Sequence, residues 1–557
     1  MNIFDTVNPI HFEWAAILPL LIVLGAGVVG TIFEAFLPRS ARRSAQIGLS
    51  LLALAAGLVT VVWRWTQHIK DVEALGLAAP GEGSMLLPLP LSFSESAAFL
   101  EGRIQFAFVE DGISLSAHII ILVVAILAFL VIADRSETRE GAFVAAAATR
   151  PGSREERESI EAKREQTEIF PLSLFAVGGM MAFVSASDLL TLFIALEVLS
   201  LPLYVLSATA RRRRLLSQES ALKYFLLGAF SSAIFLMGAA FIYGATGTLS
   251  YWEIQLIQVG LMPGQYTELF MVVGAVMVVI GMLFKVGAAP FHSWTPDVYQ
   301  GAPTPITGFM AAGTKAAAFV ALARLAVYVT NGVQVSLNTF MWIVIILTIV
   351  VGSVAGVLQK DIKRMLAYSS IAHAGFILIA INAFTLDNVT NWSQVLSGLM
   401  FYLLAYGVAT VGAFGIITLV HDRDSEGNIL GEATKLENWA GLGKRSPLLA
   451  TAMLVFLLSF AGIPLTGGFI GKFEVFRSGI ASGQTVLVVV GVLASAVTAF
   501  FYFRLVQLMF FTEPETDRIE VLHSEGLTIV TVVLALAATI ALGVVPGPVL
   551  DFFIGMF

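Results

Sequence analysis

The sequence predicts an all-α polytopic membrane protein, and three observations carry that prediction. Of the 557 residues, 57% are hydrophobic and only 13% are charged, whereas soluble domains carry about 25% charged residues. Apolar stretches recur along the whole chain, and most approach or exceed the roughly 20 residues that a helix needs to cross a bilayer. The Arg and Lys residues gather in alternate loops between these stretches.

There are about fourteen such apolar stretches, and we predict a transmembrane helix in each. In chain order they lie at residues 15–37, 46–65, 112–134, 169–187, 189–209, 220–243, 269–291, 303–330, 338–358, 366–385, 393–420, 448–480, 485–511 and 526–555. The eighth and twelfth are long, so we expect them to be tilted or broken.

The loop charges provide an independent test of this count and fix the orientation. Loops on one side of the predicted membrane hold 22 Lys and Arg residues, whereas those on the other side hold only Lys70 and Arg103. Because loops rich in Lys and Arg stay in the cytoplasm, the first set is expected to be cytoplasmic. Both termini are then external.

Two of the predicted spans contain helix breakers beside a lysine. In the seventh, Pro290 follows Lys285, and in the twelfth a Gly- and Pro-containing run at 462–468 precedes Lys472. Five spans separate the two, and an odd number of spans inverts the second unit relative to the first. Interrupted helices in inverted repeats point to a transport site. We therefore expect two inverted five-helix repeats, helices 4–8 and 9–13, with helices 7 and 12 broken.

This organisation divides the chain into five parts. They are an N-terminal three-helix segment at 1–134 with an external loop at 66–111, a charged cytoplasmic insertion at 135–168, the first five-helix repeat at 169–331, the second at 332–511, and a C-terminal loop and last helix at 512–557. The insertion is interpreted either as a solvated helix with paired charges or as an arm that docks a partner.

Lys285 is the single charge in the seventh span. A lysine at membrane depth is energetically expensive and marks a functional site by default. Pro290 removes a helical N–H and collides with the preceding turn, so the helix should kink or break beside the lysine. A break is tolerated at that depth only where the backbone packs in protein or faces water. The combination indicates a site on an ion or proton path.

Glu197 lies in the middle of the fifth span, with Pro202 after it. A buried carboxylate needs a cation, and Lys285 is its natural partner. The pair is either part of the path or a purely structural ion pair.

Three more lysines are candidates for the same path. Lys315 lies among Ala and Gly residues that favour tight helix packing, and Lys472 follows the second break. Lys223 opens the sixth span, where snorkelling to the interface is an alternative. Arg324 lies nearer the end of the eighth span, and snorkelling and function are both open for it.

Two histidines and a tyrosine complete the candidate proton relay. His292 lies seven residues after Lys285, on the same face if the helix continues, and His373 lies in the tenth span with Tyr368 nearby. A lone His in a span can be a satisfied core residue, but the other ionisable groups favour the relay.

The sequence also excludes several kinds of site. It has no cysteine, so disulfides, thiolate metal sites and thiol redox chemistry are excluded. It has no dinucleotide glycine fingerprint, phosphate loop or third metal ligand at helical spacing, so we expect neither cofactor nor metal in this chain. Nor do we expect it to bind nucleic acid.

Several motifs resemble the antiporter-like membrane subunits of respiratory complex I, the proton-pumping NADH–quinone oxidoreductase, and are nearest to its subunit N branch. They are LEVLSLPLYVL around Glu197, ALKYFLLGAFSS at 221–232, FKVGAAPFHSWTPDVYQGAPTP at 284–305, KDIKRMLAYSSIAHAG at 360–375 and SFAGIPLTGGFIGKF at 459–473. The family has fourteen helices with inverted five-helix repeats, in agreement with the count above.

The resemblance implies roles for individual residues. Glu197 and Lys285 look like the glutamate–lysine pair of the fifth and seventh helices, Lys315 like the connecting lysine of the eighth, and Lys472 like the charged group of the twelfth. Subunit M usually has Glu at that last position, and subunit L continues into a lateral helix, so both differ from this chain. The insertion at 135–168 and the loop at 66–111 depart from the family and leave the partner contacts in question.

The resemblance also implies partners, cofactors and a location. We expect subunit M, small membrane subunits and lipid around the chain, in a bacterial plasma membrane. NADH, FMN, iron–sulfur clusters and quinone are expected in partner subunits, with none in this chain.

The resulting hypothesis is a proton-translocating subunit driven by quinone reduction elsewhere in the complex. Lys285 is held protonated by Glu197, and its proton passes through His373 and Lys315 to Lys472 when that pair weakens. Two alternatives remain open: a subunit of a multisubunit cation/proton antiporter, and a scaffold subunit with vestigial charges.

Overall fold

The computed structural model describes residues 14–74, 107–135, 141–143, 153–155, 158, 166–260, 267–384, 392–423, 429–514 and 519–556. Most of the predicted external loop 66–111 and of the insertion 135–168 lies outside these ranges, so the expectations for both remain predictions.

The described chain is a helical membrane protein with twelve helices, or runs of adjoining helical segments, that are long and apolar enough to span a bilayer. In chain order the helices are α1 (Trp14–Phe36), α2 (Arg39–Ala74), α3 (Gly112–Ala133), α4 (Ile169–Ser185), α5 (Leu189–Ser207), α6 (Arg214–Thr246), α7 (Tyr251–Gln258), α8 (Glu268–Val286), α9 (Trp294–Gly301), α10 (Thr304–Phe309), α11 (Lys315–Tyr328), α12 (Gln334–Val357), α13 (Ile362–Ile381), α14 (Trp392–Leu419), α15 (Leu442–Arg445), α16 (Pro447–Ala461), α17 (Gly467–Ala481), α18 (Thr485–Phe511), α19 (Leu527–Val544) and α20 (Gly547–Ile554).

The predicted fourth and twelfth spans form shorter apolar helices. α4 has 17 residues. The twelfth span is divided between α16 and α17. The predicted seventh span, 269–291, is helical as α8 to Val286, and α9 is a separate short helix that begins beyond it at Trp294. α10 is joined to α11 by a five-residue π-helical turn at Met310–Thr314.

Carboxylates in the loops fix where several helices begin. The Asp111 side chain accepts from the backbone N–H of Ser114 and starts α3, and Asp188 starts α5 in the same way through Thr191. Asp361 caps α13 by accepting from the N–H groups of Lys363 and Arg364. Each cap satisfies backbone donors that have no partner inside the helix.

The helices that carry the candidate residues pack at the centre of the bundle. The run from Thr304 to Tyr328 is buried except at Ala326, and α13 and α14 are almost completely buried. α14 packs against α3, α10, α17 and α19, so it touches both halves of the chain. α6 and α8 approach closely at Gly238 and Gly274. Glycine permits this approach, since a Cβ on Gly238 would lie only 2.8 Å from the Gly274 carbonyl oxygen.

The structure adds a small sheet that the sequence analysis did not predict. Strand β1 (Val420–Arg423) continues directly from α14 and lies between β2 (Ile429–Glu432) and β3 (Ile519–Val521), with both pairings antiparallel. These strands are three or four residues long and show no strong alternation, so the sequence carries little signal for them.

The Arg- and Lys-rich loops that the structure describes meet this sheet at one face of the bundle, here called the basic face. It comprises the ends of α5, α6, α12, α13 and α14 near residues 211–214, 360–364 and 420–445. Arg213 donates to Thr434, the backbones of Asp361 and Lys435 pair in an isolated antiparallel β-bridge, and Arg445 donates to the Ile519 carbonyl.

Candidate functional site

Lys285 lies in the last turn of α8, directly before the interruption. The helix ends at Val286, and Gly287 caps it in the left-handed region with φ 76°. The ammonium group is buried and donates to Ser200 Oγ at 2.7 Å and to Tyr224 OH at 3.4 Å. Tyr224 stacks on Trp294 at the start of α9, so the two sides of the interruption meet around this lysine.

Glu197 does not form the direct ion pair with Lys285 that the sequence analysis predicted. No described ion pair within 4 Å joins the two residues; instead Glu197 is half-buried and accepts a hydrogen bond from Ser232. Ser200, the hydroxyl partner of Lys285, lies three residues after Glu197 on the same helix. The carboxylate therefore lies about one helical turn from the hydroxyl that holds the ammonium group.

Lys315 follows the π-helical turn and lies in a polar pocket between α11, α13 and α14. Its Nζ donates to both the carbonyl and the hydroxyl oxygen of Ser370, and it lies 5.7 Å from the Tyr406 ring centroid. The Tyr299 hydroxyl lies 3.2 Å from Ser370 Oγ. Irregular turns of this kind often occur at functional sites.

His373 lies between Lys315 and the second interruption. It is on the same helix as Ser370 and is 2% exposed. Its Nδ1 lies 2.6 Å from Tyr402 OH and its Nε2 3.4 Å from Tyr502 OH. The imidazole ring is 4.8 Å from the Tyr406 ring, which also faces Lys315.

Lys472 lies beyond the second interruption and folds back onto the helix before it. Its Nζ donates to the carbonyls of Phe460 and Ala461 at 2.8 and 3.1 Å, and to Ser495 Oγ at 2.8 Å. A cation is stabilised at a helix C-terminus, where carbonyls lack intrahelical donors. Phe460 also lies 5.9 Å from the His373 ring, so Lys472 and His373 share one neighbour.

Three predicted site residues lie away from this buried series. Lys223 is 45% exposed and forms ion pairs at 2.8 Å with Glu219 and Asp297. His292 is half-buried between α8 and α9, and Tyr368 is half-buried on α13. The tyrosine that contacts His373 through Nδ1 is Tyr402.

The exposed network around Lys223 ties the second half of the interrupted helix to its neighbours. Asp297 on α9 also pairs with Arg364 on α13 at 2.7 Å. Burial raises the pKa of Asp297, but hydrogen bonds from Lys223 and Arg364 outweigh it, so the pKa lies below its ordinary value of 3.8.

Arg324 does not snorkel, which was one of its two open interpretations. Its guanidinium is 2% exposed and holds the Asp111 carboxylate with two parallel hydrogen bonds of 2.8 Å. The pair joins the start of α3 to α11 at the face opposite the basic face.

Sequence reasoning missed the hydroxyl groups and one lysine. The hydroxyls that contact the buried amines and imidazole belong to Ser200, Tyr224, Ser370, Tyr402, Tyr502 and Ser495. The lysine is Lys363, which was counted as a loop cation and is 2% exposed. The serine and tyrosine residues within the apolar spans were the sequence signal that could have revealed these partners.

The arrangement is suited to holding and passing protons. Amines, an imidazole and hydroxyls can each donate a hydrogen bond, and the hydroxyls and the neutral amine and imidazole can also accept one. The described residues contain no group of three His, Asp or Glu that could hold a metal.

The whole chain is similar to known proteins. Residues 186–498 match the family described as NADH:quinone oxidoreductase/Mrp antiporter, TM. A protein of Beutenbergia cavernae named NADH-quinone oxidoreductase subunit N is 50% identical, over 98% of each chain. A chain of respiratory complex I from Thermus thermophilus has 31% identity and a TM-score of 0.71, covering 96% of this chain and 98% of that one. A chain of the Mrp complex from Dietzia sp. shares the fold, with 18% identity, a TM-score of 0.74, and coverage of 98% and 97%.

Proposed function

The chain belongs to the NADH:quinone oxidoreductase/Mrp antiporter family, and we propose that it is a proton-translocating subunit of an NADH–quinone oxidoreductase, of the subunit N type. The observation that carries this proposal is the buried series of bases from Lys315 through His373 to Lys472. These three groups lie in the interior with hydroxyl or carbonyl partners and no described carboxylate partner.

In this mechanism Lys285 is the group that responds to the rest of the complex. Glu197 acts on it through space, so a movement or charge change near α5 alters how strongly the ammonium is held. Moving one charge against 100 mV takes about 2.3 kcal/mol. A change of about 2.7 kcal/mol in the stabilisation of one buried amine, equivalent to about two pKa units, would cover it.

The proton then passes along the interior. Ser370 and Tyr406 connect the surroundings of Lys315 with His373. Tyr402 contacts His373 through its hydroxyl and packs against Gly471, beside Lys472. Lys472 is the last buried base in this series. It releases its proton to the face of the membrane opposite the basic face. Gaps between these groups are bridged by water.

We also propose a membrane topology and a division into repeats. The interruptions α8/α9 and α16/α17 are counterparts in two inverted five-helix units, at 169–331 and 332–511, after the segments 1–134 and 135–168 and before 512–557. The basic face is cytoplasmic and both termini are periplasmic, in a bacterial plasma membrane.

Redox chemistry belongs to partner subunits in this proposal. The sequence has no cysteine to bind an iron–sulfur cluster, so the clusters would be held elsewhere in the complex. We place NADH, FMN and quinone in partner subunits as well. The membrane partners would be subunit M, small membrane subunits and lipid.

The test uses membrane vesicles that contain the assembled complex. Lys315→Ala should lower NADH-driven proton pumping by about tenfold or more, because it removes a group that exchanges the proton. Lys360→Ala removes an exposed lysine of the basic face and should pump normally. Normal pumping by Lys315→Ala would contradict the proposal, and cation/proton exchange without NADH would favour the antiporter alternative.

A further inference from the structure

Lys363 is a buried lysine that the proposed path does not use. Within the described ranges four lysines are buried: Lys285, Lys315, Lys363 and Lys472. Lys363 is the second residue of α13, where the positive end of the helix dipole disfavours a cation. Its position is therefore unfavourable both for burial and for charge, and needs an explanation.

The ammonium of Lys363 has two contacts. Nζ donates to the Ala302 carbonyl at 2.8 Å, at the end of α9, and lies 3.8 Å from Glu432 Oε2. Glu432 ends β2, accepts a hydrogen bond from Thr304 and is 22% exposed. The pair thus has one member in the interior and one that reaches solvent.

Both members line a cavity of about 120 Å³ at the basic face. A water molecule needs about 10–15 Å³ of such volume, so the cavity has room for roughly ten. The other titratable or charged groups that line it are Asp134, Arg135, Arg211, Arg212, Arg213 and His421. The cavity is therefore polar and predominantly positive.

From this cavity a short polar route leads to Lys315. Lys363 and Ser370 lie seven residues apart on one face of α13, which corresponds to about 10.5 Å. Over that interval Thr307 Oγ1 lies 3.5 Å from the Ala302 carbonyl and 3.3 Å from the Tyr299 carbonyl. The hydroxyl of Tyr299, at the far end of its ring from that carbonyl, lies 3.2 Å from Ser370 Oγ, which accepts from Lys315. The interval between Thr307 and this hydroxyl would be bridged by water.

We propose that Lys363 and Glu432 form a loading pair through which protons from the basic-face cavity reach Lys315. Glu432 takes a proton from water, passes it to the neutral amine of Lys363, and is left as a carboxylate. Lys363 releases the proton to water beside Thr307, from which it passes through the hydroxyls of Tyr299 and Ser370. This inference rests on the proposed function and assigns its uptake side.

The charges at the cavity mouth suit a path for protons better than one for metal cations. Fixed arginines raise the energy of a metal cation that must pass as a whole charge. A proton can instead be relayed between hydrogen-bonded groups.

The test separates loading from a structural role of Lys363 as a cap for α9. Arginine keeps the charge and the donors but does not deprotonate, so Lys363→Arg keeps a cap and ends transfer. Glu432→Gln removes the proton acceptor with little change of shape. We expect both to lower NADH-driven pumping about tenfold or more in vesicles. Lys360→Arg and Glu437→Gln, at exposed neighbours, should pump normally.

A second readout is the pH on the basic face. If loading limits the rate, pumping by Glu432→Gln should rise as that pH falls, because proton delivery becomes faster, and the Glu437→Gln control should not change in parallel. Native gels of the purified complex verify assembly. Normal pumping by Glu432→Gln, or by an assembled Lys363→Arg complex, would overturn the loading pair even where Lys315→Ala is inactive. Normal pumping by Lys315→Ala would overturn the proposed function itself.

Discussion

The two interrupted helices differ in where each places its lysine. The first halves, α8 and α16, both end at a glycine in the left-handed region, Gly287 at φ 76° and Gly462 at φ 80°. Lys285 lies before its break and contacts side-chain hydroxyls, one of which, Ser200, lies three residues after Glu197 on α5. Lys472 lies after its break and contacts the two backbone carbonyls that end α16.

The difference teaches that one kind of backbone break can support two kinds of proton site. A carboxylate on a neighbouring helix can move away from Lys285, so the stabilisation of that ammonium can change. The carbonyls around Lys472 belong to the helix end itself and stay with it. We infer that the first site is adjustable and that the second holds its cation by fixed dipoles.

The largest expected effect compares removal of the two lysines. Lys285→Met and Lys472→Met should each lower proton pumping about tenfold or more. Only Lys472→Met should also destabilise the protein, by about 1–2 kcal/mol, because two helix-end carbonyls lose a charged donor. Pumping assays and thermal unfolding of the purified complex measure both quantities. Equal losses of stability in the two variants would contradict the distinction.

A smaller effect is expected from the carboxylates. Glu197→Gln removes the charge that acts on Lys285 and should slow pumping several-fold, by about 1 kcal/mol. Glu474 lies two residues from Lys472 but pairs with Arg477 at 3.2 Å, so Glu474→Gln should pump almost normally. The comparison uses initial pumping rates at equal NADH oxidation capacity. Slower pumping by Glu474→Gln than by Glu197→Gln would contradict the prediction.

The smallest effect tests the glycines at the breaks. Alanine at either glycine would have to adopt a positive φ, which costs an L residue about 1–2 kcal/mol. At Gly462 the new Cβ would also lie 2.9 Å from Lys472 Cδ, whereas at Gly287 it would meet Thr295 Oγ1 at 2.8 Å. We expect both variants to unfold at lower temperature and only Gly462→Ala to slow pumping, roughly twofold.

Gly48→Ala, inside α2 with no heavy atom within 4 Å of the new Cβ, serves as the control for these glycine variants. It should be as stable as the parent or slightly more so, because alanine favours helix. Slower pumping by Gly287→Ala than by Gly462→Ala would contradict the expectation that the Gly462 variant disturbs its lysine more.

The sequence predicted the buried lysines better than their partners. A charge in an apolar span is visible in one segment, so Lys285, Lys315 and Lys472 could be identified without a structure. Their partners lie on other helices, often more than 20 residues away, and hydroxyls in spans are common. Tyr368 was chosen because it precedes His373 by five residues, but that spacing turns it to another side of the helix; Tyr402 makes the contact.

Helix ends and loops were harder to predict. Lys363 follows a polar run and was counted as a loop cation, yet α13 begins at Ile362 and buries it. Lys223 was placed at the start of the sixth span, but α6 begins at Arg214, so it lies in the third turn. There it pairs with an acid four residues before it and with a second one on α9, at an exposed position. The sheet near 420–432 depends on β3, about 90 residues later, and local pattern cannot reveal such pairing.

The π-helical turn before Lys315 determines the direction of that side chain. One such turn accommodates an extra residue, so rewinding Met310–Thr314 as regular α-helix would rotate everything after it by about 100° about the axis. The amine would then leave Ser370 and face a different neighbour. The direction in which the Lys315 side chain points therefore depends on whether five uncharged residues form a π-helical or an α-helical turn. A conformational change confined to this turn would redirect the amine without altering any charge.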